Sequence, residues 1–268
     1  MTSSDLPAVS PRLLFAREIA LEAGELTLGY FQRSDLKVEQ KSDASPVTVA
    51  DREAELLLRE RIAARFPDDG ILGEEFPERP GTSGYRWIVD PIDGTKSFIH
   101  GVPLFGNMVA VERNNRGILG VVNIPGLREL VYAGRDEGCW HERGGGSPPT
   151  RCRVSTVADL EQACFVTSEV KTFHKKGRPE AFDRVQAATR LTRTWGDCYG
   201  YLLVATGRAE IMIDPILNIW DAAAVQPIIE EAGGTFTDWS GQPSITSEEA
   251  VATNGAVHAR VLEMLRSV

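Results

Sequence analysis

Trp87-Ile88-Val89-Asp90-Pro91-Ile92-Asp93-Gly94-Thr95 carries an apolar run straight into a turn that holds two carboxylates. Residues 85–89 are bulky or β-branched and end at Pro91, so the spacing predicts a short strand. Asp90 and Asp93 then share one small volume at the strand's end, where like charges repel unless protons, basic groups or metal ions offset them. Several hard oxygen ligands in a loop are what magnesium prefers. A tight turn accounts for the same string, because proline and glycine are turn residues in their own right, and D-x-x-D-G alone does not choose.

Working outward, Ile71-Leu72 leads into Gly73-Glu74-Glu75, a second acidic turn at a strand end, and Trp220-Asp221 opens a helix whose apolar face includes Val225 and Ile228. Taken singly, Asp221 reads as a helix N-cap, and Glu74 and Glu75 as solvated loop charges. Helices are expected over 11–31, with Leu14, Ile19, Leu26 and Phe31 recurring, and over 49–66, with Leu56, Leu57 and Ile62 available for burial. The polar segment 37–46 between them predicts an exposed hairpin or mobile loop. Apolar runs at 108–111, 118–122 and 130–133 predict an antiparallel meander. Gly144-Gly145-Gly146-Ser147-Pro148-Pro149 breaks that pattern, and beyond it strand and helix candidates alternate. The expected organisation is an N-terminal α+β half, 1–145, with most of the metal ligands, and a smaller C-terminal α/β half, 146–268, working as one unit.

Composition narrows the function. With 268 residues, 42% hydrophobic and 25% charged, the chain can bury a substantial core. Its net charge of -9 opposes a nucleic-acid partner and would leave an anionic substrate in need of a compensating cation, of which a bound metal is one source that composition alone does not establish. The widely spaced Cys139, Cys152, Cys164 and Cys198 make no zinc knuckle or C-x-x-C pair and are expected to be reduced packing residues. No leader pattern opens the chain and no run approaches about 20 apolar residues, so a cytoplasmic protein without a membrane partner is expected. The four histidines are not clustered, no P-loop is present, and the two residues between Asp90 and Asp93 do not match the D-x-D-x-T type with its aspartyl nucleophile.

Read in order, Pro46-Val47-Thr48-Val49-Ala50-Asp51, Gly73-Glu74-Glu75, the string from Trp87 to Thr95, Trp220-Asp221 and Glu231-Ala232-Gly233-Gly234 resemble the inositol-monophosphatase-like phosphatases. The resemblance runs from the first helix almost to the carboxyl terminus. It implies a mixed α/β, layered αβαβα sugar-phosphatase-type fold with an antiparallel N-terminal sheet, and a magnesium-dependent phosphomonoester hydrolase with two or three Mg2+ per site. By the same resemblance, Glu74, Asp90 and the Ile92 carbonyl hold one metal, while Asp90, Asp93 and Asp221 hold a second, with Asp90 bridging. Glu74, Thr95 and Asp51 would orient and deprotonate the attacking water. Gly94 and Thr95 would open a short helix that binds phosphate, Lys41 would close over the site with its segment, and a homodimer is implied.

Two further stretches, Asp93-Gly94-Thr95-Lys96-Ser97-Phe98-Ile99-His100-Gly101-Val102-Pro103 and Trp195-Gly196-Asp197-Cys198-Tyr199-Gly200, resemble the histidinol-phosphatase branch more than the inositol branch. L-histidinol phosphate, an intermediate of histidine biosynthesis with an ammonium and an imidazole, is the expected substrate. Its candidate contacts are Gly196, Asp197, Asp214 and Asn218, beside Asp93, Gly94, Thr95, Lys41 and Asp221 near the phosphate. Asp197 reads equally as a helix N-cap, and Lys96 as an exposed cation. Lys96 also occurs in a branch acting on phosphoadenosine phosphates. Inositol 1-phosphate and phosphoadenosine phosphate are thus the alternative substrates, and a noncatalytic metal-binding regulatory protein is the alternative of another class.

Overall fold

Period-two alternation runs through the strands with both faces apolar, so each sheet must be covered on two sides. The computed structural model describes residues 9–41, 45–144 and 148–266. Its first part contains α1 (Pro11–Leu28), β1 (Val38–Gln40), β2 (Pro46–Thr48), α2 (Val49–Arg65), β3 (Gly70–Gly73), β4 (Arg86–Asp93), α3 (Thr95–Ile99), β5 (Gly106–Arg113), β6 (Arg116–Ile124), β7 (Glu129–Gly134), β8 (Gly138–Arg143) and β9 (Thr150–Arg151). Next come β10 (Cys164–Val166), α4 (Val170–Lys175), α5 (Pro179–Ala188), β11 (Leu191–Arg193), α6 (Asp197–Ala205) and β12 (Ile211–Asp214). The chain then closes with α7 (Ile219–Ala222), α8 (Val225–Glu231), β13 (Thr235–Thr237), β14 (Ala250–Thr253) and α9 (His258–Arg266).

Five layers result. Trp87, Val89, Val109, Val111 and Val121 face α1 and α2, meeting Leu13, Ile19, Leu58 and Ile62. Their neighbours Ile88, Met108, Ala110 and Val122 point the other way, onto Leu202 of α6 and Val225 and Ile228 of α8. Those helices are sandwiched, because Met212 and Ala252 of a second sheet pack into the same cluster. Phe165, Ile211, Ile213 and Val251 turn outward onto Phe182 and Val185 of α5 and Val261 and Leu265 of α9. This is the mixed α/β, αβαβα arrangement. At Gly120 the layers come so close that a Cβ would run into the Ala224 carbonyl.

The first sheet takes β3 to β9 in sequence order, and the second has the order β11-β10-β12-β14-β13. The first is antiparallel as expected except at one edge, where β3 runs parallel to β4 with Gly73 opposite Val89. Both strands therefore run toward the same end of the sheet, and Glu74, just past β3, comes beside Asp90 of β4. In the second sheet β10 is parallel to both β11 and β12, so these three strands also end together.

Several expectations are corrected. Leu14 and Leu56 are exposed, and the buried helix faces use Leu13, Ala16, Ala20 and Ala23, and Ala54, Leu58 and Ile62. Small alanines let the helices lie close on the sheet, which a count of large aliphatic residues does not register. The first helix ends at Leu28, short of Phe31. The helix expected over 220–232 is two pieces, α7 and α8, with Asn218 at the N-cap of α7 and Asp221 three residues further on, so Asp221 is not itself the cap. The 37–46 segment is a hairpin of β1 and β2, with residues 42–44 outside the described residues. Residues 145–147 of the glycine-proline break also lie outside them, and the first sheet continues past the 145/146 boundary to Arg151.

Candidate active site

The ladder between β4 and β5 slips between Asp90 and Asp93. A bulge re-aims side chains, and here Ile92 N–H donates to Asp90 Oδ1 at 3.0 Å. From the second half, Cys198 N–H donates to Asp93 Oδ2. Asn218 N–H likewise donates to Asp221 Oδ2, at 2.7 Å. Carboxylate oxygens of Asp90, Asp93 and Asp221 thereby come within 4.8 Å of one another.

This concentration of charge is uncomfortable. Burial, then Glu74, Asp93 and Asp221, hold the Asp90 carboxyl well above its ordinary pKa, and burial with Asp197 and Asp221 does the same to Asp93. Burial lifts Asp221 to about 7, with Glu74 and Asp214 adding to it. Glu74 is raised by burial although Lys41 Nζ donates to it at 2.7 Å, and to Glu75 at 2.5 Å. Burial works against the Lys41 ammonium, but its bonds to Glu74 and Glu75 outweigh that and hold its pKa above the ordinary lysine value. An all-oxygen set in which each acid disfavours ionisation of the next fits a hard divalent cation, which would relieve the repulsion that burial aggravates. The Ile92 carbonyl, an acceptor for Thr95 Oγ1 at 3.0 Å, belongs to the same wall.

Gly94 precedes α3 with φ +81°, and a Cβ there would lie 3.0 Å from the Leu104 carbonyl and 3.1 Å from Asp197 Oδ2. Thr95 Oγ1 also lies 3.4 Å from Asp51 Oδ1. The other Asp51 oxygen accepts from Thr48 N–H at 2.8 Å and Thr48 Oγ1 at 2.6 Å, a capping box that starts α2. Asp51 is buried behind Thr95, so it reaches the site through that hydroxyl. Lys41 likewise stands off the cavity wall and reaches it through Glu74.

Beside the carboxylates opens a cavity of about 460 Å³, walled by Glu74, Asp90, residues 92–97 and the segments following β10, β11 and β12. Ligands of α/β sheets bind at the carboxyl ends of parallel strands, and this cavity has that position. Gly196, Asp197, Asp214 and Asn218 all line it. Gly196 is the N-cap residue of α6 and Asp197 its first residue, so Asp197 is not the cap, and it carries a φ of +52°. Both Asp214 oxygens are engaged: Oδ1 accepts from Ser168 Oγ at 2.7 Å and Ser168 N–H at 3.3 Å, and Oδ2 from Tyr201 OH at 3.0 Å. Burial lifts Asp214 to about 7. Lys96 reaches over the mouth to Glu169 Oε2 at 2.6 Å.

Ser168, Tyr201 and Glu55 escaped the sequence reading. Glu55, fully buried on α2, accepts from Glu75 N–H at 2.7 Å and Phe76 N–H at 3.3 Å and so fixes the acidic turn after β3. Its spacing to Arg59 looks like an ordinary surface pair of a helix, and nothing local marks it as a support.

Comparison with known proteins gives this geometry a family. The model of the inositol monophosphatase family matches residues 8–268. The histidinol-phosphatase of Chlorobaculum parvum is 48% identical over 250 residues, 93% of this chain and 94% of that protein. The histidinol-phosphatase of Mycobacterium tuberculosis is 37% identical over 95% of this chain and 98% of its own length. The solved structure of the Thermotoga maritima IMPase superposes with a TM-score of 0.84 at 33% identity, covering 96% of this chain and 97% of that one. A match over nearly the whole length, on a fold that gathers three aspartates beside a polar cavity, makes this chain a phosphatase of the inositol monophosphatase family.

Proposed function

We propose that the protein hydrolyses L-histidinol phosphate to L-histidinol and phosphate with magnesium as cofactor, as a step of histidine biosynthesis in the cytoplasm. The observation that carries this reading is the meeting of Asp90, Asp93 and Asp221 within 4.8 Å in a cavity also lined by Glu169, Asp197 and Asp214. The first group suits a metal and a phosphate, the second a cationic leaving group. The relatives named histidinol-phosphatase support the same substrate.

Bound magnesium would supply neutralisation of the phosphate and a lowered pKa for water. Glu74, Asp90 and the Ile92 carbonyl would hold one ion and Asp90, Asp93 and Asp221 another, with a third, weaker one near Glu74. Glu74 and Thr95 would orient the attacking water, whose proton would pass to the Glu74 carboxylate or, through the Thr95 hydroxyl, to Asp51. Gly94 and Thr95 would present backbone N–H groups to the phosphate, and a Cβ on residue 94 would press on the Leu104 carbonyl and Asp197 Oδ2 that back this turn. The water oxygen would bond to phosphorus as the ester P–O bond breaks, and the leaving alkoxide would take a proton from solvent water and depart as the alcohol through the cavity lined by Thr194, Gly196 and Asp197. The two halves act as one unit, since Asp221 comes from one and Asp90 and Asp93 from the other. A homodimer is part of the proposal on family resemblance, and sedimentation tests it.

The test is phosphate release with magnesium from L-histidinol phosphate, inositol 1-phosphate and phosphoadenosine phosphate in parallel. A clear preference for the first is expected. Equal rates on all three reject the assignment, and no release from a broad phosphoester panel favours a noncatalytic metal-binding protein.

A further inference from the structure

With the phosphate at the Gly94-Thr95 turn, the rest of the substrate lies toward the cavity mouth, and the carboxylates there differ in what they can offer it. Asp214 has both oxygens taken by Ser168 and Tyr201. Asp197 is packed against Gly94, and desolvation opposes its ionisation. Glu169 is the different one. It lines the cavity with its side chain 34% exposed, and the bond from Lys96 Nζ keeps its pKa below the ordinary glutamate value.

The backbone that carries Glu169 is fixed. Ser168 donates through N–H and Oγ to Asp214, its Oγ accepts from Asp197 N–H at 2.8 Å, and Gly196 lies so close that a Cβ there would run into Ser168 Cα. The partner is loose by contrast, since the Lys96 side chain is 65% exposed. An ion pair this open to water contributes little and exchanges readily. Lys96 follows Thr95 directly in the chain, so the Glu169 carboxylate stands one lysine side chain from the turn that would take the phosphate. The amine of a short amino-alcohol phosphate seated at that turn would lie between the turn and Glu169.

We propose that Glu169 is the specificity-determining residue for the substrate's ammonium group, with Lys96 its resting counter-ion, which the ammonium displaces on binding. The inference rests on the reading of a cationic phosphomonoester substrate and deepens it. It also gives Asp214 an indirect role: through Ser168 it positions the segment that carries Glu169.

The experiment compares L-histidinol phosphate with its deamino analogue, 3-(imidazol-4-yl)propyl phosphate, at pH 8, where the imidazole is neutral and the amine carries the only cationic charge. KM and kcat are measured with magnesium for the wild type, Glu169→Gln and Lys96→Ala. The wild type is expected to favour the amino substrate. Glu169→Gln should raise its KM about tenfold or more beyond any change for the analogue, the range for losing a charged hydrogen-bond partner. Lys96→Ala should lower KM for the amino substrate relative to the analogue. Equal shifts for both substrates in Glu169→Gln, or a wild type blind to the amine, overturn the proposal. So does improved turnover of phosphoadenosine phosphate by Glu169→Gln, which would make the rim, with Lys96 and Lys175, a second anion site. A wild type that hydrolyses neither compound removes the parent reading itself, a result distinct from all of these.

Discussion

Asp214 offers a quantitative test of how the cavity is built. Its carboxyl is buried, and burial pushes its pKa up to about 7 in the folded protein, against 3.8 ordinarily. Below pH 4 both folded and unfolded chains hold the proton, and Asp214 is neutral to stability. Between about 4 and 7 the unfolded chain has released it while the fold retains it, so the unfolded state binds fewer protons and stability falls as pH rises. Above 7 the full penalty is present. A shift of about three units at about 1.4 kcal/mol each gives about 4 kcal/mol. Asp214→Asn removes the charge while keeping an acceptor for Ser168. In metal-free protein the variant should gain about 4 kcal/mol on the wild type between pH 4 and 8, whatever constant offset its altered bonds introduce. At about 2–4 °C per kcal/mol for a chain near this size, that is a differential melting shift of about 10 °C. Urea denaturation and thermal melts of both proteins at several pH values read it directly. A stability difference that stays flat across this range would mean that Asp214 ionises at an ordinary pH and that burial does not govern it.

Glu74→Gln should keep the fold and depress turnover by about 10²–10⁴, the usual span for a positioned acid-base group, as phosphate release shows; near-wild-type activity would defeat its role. Asp90→Asn removes one of the mutually repelling carboxyls, so the metal-free variant should melt above the metal-free wild type. The same variant should lose the magnesium-induced rise, about 2.7 kcal/mol at 100 times Kd, and a preserved rise would place the ion elsewhere. Gly94→Ala forces a side chain into φ +81° and against Leu104. It should cost about 1–2 kcal/mol in urea denaturation and lower activity, whereas a neutral substitution would show that this backbone is free to relax.

How much of this was legible in the sequence depends on distance along the chain. Asp90, Asp93 and Gly94 are neighbours on one strand and turn, so their proximity could be read from the string itself. The layered order came with the family resemblance, whereas the apolar runs by themselves gave only the strands of the meander. Glu74 beside Asp90 was less accessible, because it depends on β3 pairing parallel to β4, and the meander that follows suggests the opposite. Asp221 looked like a cap and is instead the third residue of a short helix capped by Asn218. Local signals could not find Ser168, Tyr201 or Glu55, whose roles consist of contacts with Asp214 and Glu75 at sequence separations of 46, 13 and 20 residues. The helix faces were misjudged at Leu14 and Leu56 for a packing reason: alanines interleaved with Leu13, Ile19, Leu58 and Ile62 set how closely α1 and α2 approach the sheet.

The central claim is that the clustered carboxylates of Asp90, Asp93, Asp221 and Glu74 work by holding magnesium around a histidinol phosphate ester. Steady-state phosphate release from L-histidinol phosphate by chelator-stripped protein, back-titrated with magnesium, tests it most directly. Activity should be absent without the metal and return saturably with it, well above that on inositol 1-phosphate under the same conditions. Release that persists in excess chelator, or magnesium-restored turnover that does not distinguish the two substrates, would contradict it.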